Sequence, residues 1–268
     1  MKISATSALV LNWTDPHIWK SGKAREYFNN LDLSEAEELL EEFSSRENYM
    51  HLQSVSNRKF FIRKKCIEYL TENPNGQILF FGAGISPMSI ELAEFFPDAK
   101  IFDIDKYLMN EKKDLVSDSV ANIKFIECDI SDTEKLKNEL NKNSFEEKEF
   151  LGVFEGITYY LKPEHLKNLF MFSKSLNAGI TGDFGLKPEI VDSHNRIFGV
   201  DVFDKIKNFV QGTEVNFYTP DEFKSLIIES GFKEFNRFKF DAIQTERTGT
   251  PQPFEGKEPG WISMFTAK

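Results

Sequence analysis

Gly82 and Gly84, Asp103 and Asp105, Asp129 and Glu155 are the residues of this 268-residue chain whose types and spacing could hold a ligand. The glycines follow the apolar run Ile78–Phe81, and the acidic residues fall at or just beyond the ends of Ile101–Ile104, Ile123–Glu127 and Phe150–Phe154. In an open parallel sheet, ligands bind at the carboxyl ends of the strands. Glycine there lets the backbone turn sharply and brings its N–H groups close to a ligand. Acidic groups at three successive strand ends suit a ligand rich in donors, such as ribose hydroxyls, an adenine amino group and an α-ammonium. Any one of these carboxylates could be a cap or a solvent-facing residue; their joint position at the predicted switch point is the informative feature. Asp103 and Asp105 sit where a nucleoside ribose would lie across the sheet edge. A dinucleotide is disfavoured, because its fingerprint requires a third glycine where this chain has Pro87, flanked by Ser86 and Met88. No Gly-Lys-Ser/Thr follows, which excludes a P-loop. S-adenosylmethionine is a nucleoside with no pyrophosphate to cradle, and it fits this pattern.

The elements that must position these residues alternate. Short continuous apolar runs are expected of parallel strands buried on both faces. Ile90, Leu92, Ala93 and Phe96 supply a helical apolar face between the first two strands. Thr133–Leu140 is predicted as a helix, as is Pro163–Ser175 with proline in its first turn, and Gly179–Phe184 reads as a fifth strand. Before the first strand the chain reads as helical. Ser34 and Glu37 have the spacing of a capping box, a helix is predicted from Ser54 to Leu70, and Asn73–Gly76 ends it. After the fifth strand, residues 185–218 interrupt the rhythm with a predicted helix over 190–210, either a cover for the site or decoration. Thr219-Pro-Asp-Glu222 caps a further helix, with Phe223, Leu226 and Ile227 on its apolar face. Phe232–Phe240 and Trp261–Ala267 then read as two antiparallel strands with no helix between them. The expected fold is therefore α/β and Rossmann-like, a mostly parallel seven-stranded sheet with an antiparallel C-terminal strand and a helical N-terminal cap. It divides into the cap (1–75), a ligand-binding core (76–184), the insertion (185–218) and a closing helix with its strand pair (219–268).

Composition bounds the function. Apolar residues at 40% and charged residues at 28% fit a globular chain with a substantial core, and 27 Phe make that core aromatic. A net charge of −10 disfavours nucleic acid, whose phosphates call for a basic face. Cys66 and Cys128 have no metal spacing and read as core thiols, in keeping with a reducing cytoplasm. His17, His51, His165 and His194 form no metal-like cluster, so no metal is expected. No signal peptide and no membrane span are expected from the apolar pattern.

Four further elements resemble the leucine carboxyl methyltransferase family, which includes polyketide O-methyltransferase-like members of the class I S-adenosylmethionine-dependent methyltransferases. Glu155-Gly-Ile-Thr-Tyr-Tyr-Leu161 is similar to its Glu-Gly-x-x-x-Tyr-Leu signature. Cys128-Asp-Ile-Ser-Asp132 resembles its Asp-Leu-x-Asp element, Asn57-Arg-Lys-Phe-Phe-Ile-Arg63 its Asn-Arg-x-x-Phe-x-Arg helix, and Asp105 its acidic residue after the second strand. The resemblance implies that Arg58 binds the cofactor's methionine carboxylate, with Gly82 beside it, and that Asp105 holds the ribose hydroxyls. It further implies that Asp129 and the Ile130 backbone meet the adenine and that Glu155 faces the ammonium or sulfonium side. This chain departs from the family at Ser86-Pro-Met, where an Asp-Thr element is usual, and its N-terminus shows no counterpart of the family's cofactor-contacting lysine.

The activity expected from these residues is methyl transfer from S-adenosylmethionine to the carboxylate or hydroxyl oxygen of a small molecule or a protein C-terminus. A carboxylate acceptor needs no general base, being almost wholly ionised at neutral pH. A phenol would need one, for which His194 is available, and Tyr159 and Tyr160 are the candidates to position an acceptor. Two other readings share the first strand–helix–strand unit or the fold: a nicotinamide-dependent oxidoreductase, and a non-catalytic binding or scaffold protein.

Overall fold

Four strands whose side chains are largely shielded from water dictate the layout of this chain. The structure is a computed structural model and describes residues 3–116, 120–206 and 215–268. Strands β1 (Gln77–Phe81) and β4 (Leu151–Phe154) are buried at every position, and β2 (Lys100–Asp105) and β5 (Gly179–Gly185) nearly so. Strand β3 (Ile123–Glu127) is partly exposed, as befits the sheet edge. These five pair in parallel, with Ile78 beside Ile101 and Leu151, Ile101 beside Ile123, and Leu151 beside Gly179. Strands β6 (Phe235–Phe238) and β7 (Ile262–Ala267) close the sheet in the order β3-β2-β1-β4-β5-β7-β6, with β7 antiparallel to both β5 and β6. The order reverses between β1 and β4, so the crevice beyond their carboxyl ends is where this topology places a ligand.

The helices are α1 (Ala5–Asn12), α2 (Gly22–Asn29), α3 (Glu37–Glu41), α4 (Ser45–Glu72), α5 (Met88–Phe95), α6 (Met109–Leu115), α7 (Thr133–Lys142), α8 (Pro163–Ser175), α9 (Ser193–Ile206), α10 (Pro220–Glu229) and α11 (Phe240–Thr248). Three differ from the sequence expectation. The capping box forms at Ser44 and Glu47 rather than at Ser34, so α4 starts well before Ser54. Ser34 instead turns its N–H and hydroxyl onto Asp32 (3.1 and 2.7 Å) in a single 3-10 turn. The β6–β7 connection contains α11, which periodicity misses because its buried side includes Gln244 beside Phe240 and Ile243. It docks on α4 by hydrogen bonds, Arg247 Nε donating to Asn57 (2.8 Å) and Gln244 Nε2 to Gln53 (3.1 Å). Helix α6 was not expected either, since among its residues only Met109 and Lys112 are buried. The helix predicted over 190–210 is α9, and positions 207–210 lie outside the described residues. Thr219 and Glu222 form their capping box at α10 as the sequence predicts.

The phenylalanines fill the space between sheet and helices. Phe184 of β5 stacks on Phe223 of α10 at 4.0 Å, and Phe81 on Phe154 at 4.8 Å. Cys66 and Cys128 are buried free thiols. Among the described residues no helix is long and apolar enough to cross a membrane.

The aromatic packing also encloses a histidine. His51 of α4 is 2% exposed, packed against Trp13 at 4.4 Å with Phe43 and Trp261 edge-on to it, and its Nε2 has no hydrogen-bond partner. Burial pushes its pKa down to about 3, whereas in the unfolded chain it protonates near 6.5. Its contribution to stability is therefore present above pH 6.5 and lost as pH falls toward 3. Urea unfolding of His51→Phe is expected to show a flatter acid limb, the variant regaining about 2 kcal/mol at pH 5 relative to its difference from wild type at pH 7.5. Parallel acid limbs would refute this assignment.

Candidate functional site

Two adjoining cavities open at the carboxyl ends of β1 and β4, and both are lined by Gly82 and Tyr160. The smaller, about 190 Å³, runs beneath α1 and α4 and is lined by Arg58, Lys59, Gly84, Asp103, Lys112, Glu155 and Tyr159. The larger, about 650 Å³, is lined by Asp105, Asp129, Ile130, Leu161 and His165. The predicted site residues thus converge on one crevice but divide between its two ends.

At the larger end, Asp105 closes β2 half-buried. Its Oδ2 accepts the Gly84 N–H at 2.9 Å and its Oδ1 the Tyr107 N–H at 3.3 Å. Burial raises its pKa, and those backbone N–H groups oppose the rise. Asp129 is held below the usual carboxylate range chiefly by Ser131, whose hydroxyl donates at 2.7 Å and N–H at 3.0 Å; Lys106 lies 3.2 Å from its other oxygen. Ile130 is buried beside it. Asp103 points to the same face of β2 as Asp105, being two residues away, yet the structure separates them. Asp103 has no solvent exposure, and its Oδ2 is taken by the Lys112 ammonium at 2.7 Å and the Ser89 hydroxyl at 2.6 Å.

The smaller end is built on buried charge. Successive residues of α4, Arg58 and Lys59, are 6% and 2% exposed and both reach Glu155 beyond β4. Lys59 Nζ donates to Glu155 at 2.6 Å and lies 3.3 Å from the Ser86 hydroxyl. Arg58 Nε lies 3.4 Å from Glu155 without hydrogen-bond alignment, and Arg58 Nη1 donates to the Tyr159 hydroxyl at 3.1 Å. Burial works to raise the Glu155 pKa, but Lys59 and Arg58 outweigh it and hold the carboxylate ionised. Burial likewise pushes Lys59 down, with Glu155 opposing. Gly156 permits the approach: its φ is +68°, and a Cβ there would stand 3.3 Å from Arg58 Nη1. Burial raises Tyr159 far above its ordinary value and Tyr160 to about 12, so both are protonated at neutral pH. His194 is exposed on α9 and lines neither cavity.

Three residues of this network escaped the sequence reading. Lys59 sits within the Asn57–Arg63 element, where its charge resembles those of the solvated Lys64 and Lys65. Lys112 lies in a polar segment with no helical face to betray it. Asp183 carried a usable signal, a carboxylate within a strand otherwise suited to burial on both faces. It has no exposure, accepts the Gly156 N–H at 2.7 Å and lies 3.9 Å from Arg58 Nη1.

Comparison with known proteins adds the following. The sequence pattern of the leucine carboxyl methyltransferase family matches residues 17–173, more than half of the chain. No curated protein sequence matches it. Among solved structures, a protein of Bordetella parapertussis described as a possible exported protein superposes with a TM-score of 0.51 at 11% identity, over 99% of this chain and 97% of its own. An O-methyltransferase family protein from Burkholderia thailandensis gives 0.50 at 8% identity, over 84% and 61%. Human N-acetylserotonin methyltransferase in complex with S-adenosylmethionine gives 0.46 at 12% identity, over 84% and 56%. The chain thus spans little more than half the length of the human protein. Identities this low speak to the fold alone.

Asp183 makes the network sensitive to pH. Burial, only partly offset by Arg58 and the Gly156 N–H, pushes its pKa up to about 6. A carboxyl group raised in the fold binds more protons folded than unfolded, so its contribution declines as pH rises from about 4 to 6. Asp183→Asn keeps an acceptor for Gly156 and removes the titration. The wild-type stability advantage over this variant is expected to be greater at pH 5 than at pH 7.5 by about 1 kcal/mol. Chemical denaturation at both values checks this, and an advantage independent of pH would contradict it.

Proposed function

The chain belongs to the leucine carboxyl methyltransferase family, whose members depend on S-adenosylmethionine, and from that premise we propose that it methylates an acceptor oxygen, preferentially a carboxylate. The observation that carries the cofactor reading is the pairing of a half-buried acid, Asp105, in one cavity with a buried guanidinium, Arg58, in the adjoining one, Gly82 and Tyr160 lining both. Arg58 Nε has no hydrogen-bond partner among the described residues, and a Cβ on Gly84 would meet nothing within 4 Å. This donor and acceptor set fits the cofactor, with an acid for ribose hydroxyls and a cation for a carboxylate. Asp129 and Ile130 are assigned to the adenine and Glu155 to the ammonium or sulfonium side.

When bound, S-adenosylmethionine would supply a methyl group activated for transfer by its sulfonium, with the thioether as leaving group. The protein's task is alignment, which lowers a barrier by roughly 7–11 kcal/mol in favourable cases. Arg58, fixed between Glu155, Tyr159 and Asp183, orients one end of the cofactor, and Asp105, fixed by Gly84 and Tyr107, orients the other. Tyr159 and Tyr160 keep their protons at neutral pH and act as hydroxyl donors to the acceptor. Glu155 is neutralised by two cations and is a poor proton acceptor. The described residues lining the smaller cavity therefore favour an acceptor that arrives already ionised.

Calorimetry with S-adenosylhomocysteine tests the cofactor site. One equivalent is expected to bind, and Asp105→Ala is expected to weaken binding by roughly tenfold or more, as for loss of charge-assisted hydrogen bonds. Undiminished affinity in that variant would remove Asp105 from the site. The acceptor class shows in the pH profile. With small carboxylic acids or peptide C-termini as acceptors, kcat/KM is expected to be level between about pH 7 and 9, above the titration of Asp183. A profile rising tenfold per pH unit, with turnover only of hydroxyl acceptors, would overturn the carboxylate assignment.

A further inference from the structure

The turn from Gly82 to Pro87 leads into the Ser86-Pro-Met stretch, and it is gripped from outside by buried donors. Lys112 of α6 has no solvent exposure. An ammonium has three N–H donors, and this one meets three acceptors: Asp103 Oδ2 at 2.7 Å, the Ser86 carbonyl at 2.8 Å and the Gly84 carbonyl at 3.1 Å. Between those carbonyls, that of Ile85 accepts the Tyr27 hydroxyl at 3.2 Å. The Ser86 side chain receives Lys59. Gly84 is held on its other side too, its N–H donating to Asp105 Oδ2. A buried cation is tolerated only where it is paired and hydrogen-bonded, so Lys112 has little freedom to leave this arrangement. Asp103 anchors it to β2, the strand that ends in Asp105.

We propose that Lys112 is a positioning residue for the ribose of the bound nucleoside: anchored on Asp103, it holds the Gly84 and Ser86 carbonyls and, through the Gly84 N–H, aims the Asp105 carboxylate. The residue acts from the smaller cavity on the acid that lines the larger one. This inference rests on the cofactor reading above.

The test is a mutant cycle read by calorimetry with S-adenosylhomocysteine, with thermal unfolding alongside. Lys112→Met removes the clamp but strands Asp103, so Asp103→Asn/Lys112→Met removes both buried charges together. In that double variant, affinity is expected to fall roughly tenfold while the folded state persists. In an Asp105→Ala background the same two substitutions are expected to cost little more, because the group they aim is gone. Affinity equal to wild type in the folded double variant, or losses that simply multiply with that of Asp105→Ala, would overturn the proposal. Failure of the wild-type protein to bind S-adenosylhomocysteine would instead overturn the cofactor reading itself.

Discussion

The ligand-facing edge of this protein depends on the cost of keeping cations out of water. Arg58, Lys59 and Lys112 are all buried, and an unpaired buried ion is penalised by several kcal/mol even after relaxation. Each is therefore matched by a carboxylate at or beside a strand end: Glu155 for Lys59 and Arg58, Asp183 behind Arg58, Asp103 for Lys112. Such pairs add little net stability compared with an apolar core of the same volume, yet breaking one costs about 3–5 kcal/mol. In this arrangement they tie α4 and α6 to the ends of β2, β4 and β5.

That constraint changes the meaning of the N-terminal helical region. As a sequence it looks like a cap laid over a finished core. In the structure α4 supplies two of the cations that neutralise the end of β4, and Arg63, one turn further on, pairs with the fully buried Glu91 of α5 at 2.5 Å. Glu91 also accepts the Ser21 N–H just ahead of α2. Trp19 lies 5.7 Å from Lys59 in a cation–π arrangement. The candidate site therefore draws two of its charged side chains from before β1.

The parts legible in the sequence were those encoded by local pattern. Short apolar runs announced β1 and β4, because a strand covered on both faces cannot alternate, and β2 and β5 were legible although each carries one buried aspartate. The Thr219 box announced α10 because N-cap chemistry is confined to four residues. Ser34 offered the same spacing as Ser44, but Asp32 competes for its hydroxyl and N–H, a contest that no spacing rule includes. Helix α11 was illegible because polar contacts from Gln244 and Arg247 hold it to α4 instead of an apolar stripe. Lys59 and Lys112 were illegible because a lysine's burial depends on a carboxylate far away in the chain.

The Glu155–Leu161 signature joins the two kinds of information. Its glycine takes a positive φ, which turns the chain immediately after Glu155, and the Tyr160 N–H closes a turn onto the Ile157 carbonyl at 3.0 Å. That short turn brings Tyr159 back to the side of Glu155, where both contact Arg58, while the Thr158 hydroxyl donates to the Asp183 carbonyl at 2.7 Å. Arg58 is thus met by Tyr159 as well as by Glu155, while Thr158 ties the turn to the strand that carries Asp183. The motif is readable because it is a turn, and its chemistry is fixed only when α4 delivers a guanidinium into the concave side of that turn. A residue such as Ala at Gly156 would keep every acidic and aromatic group of the signature and still strain it, because the φ there is +68° and its Cβ would press on the guanidinium at 3.3 Å.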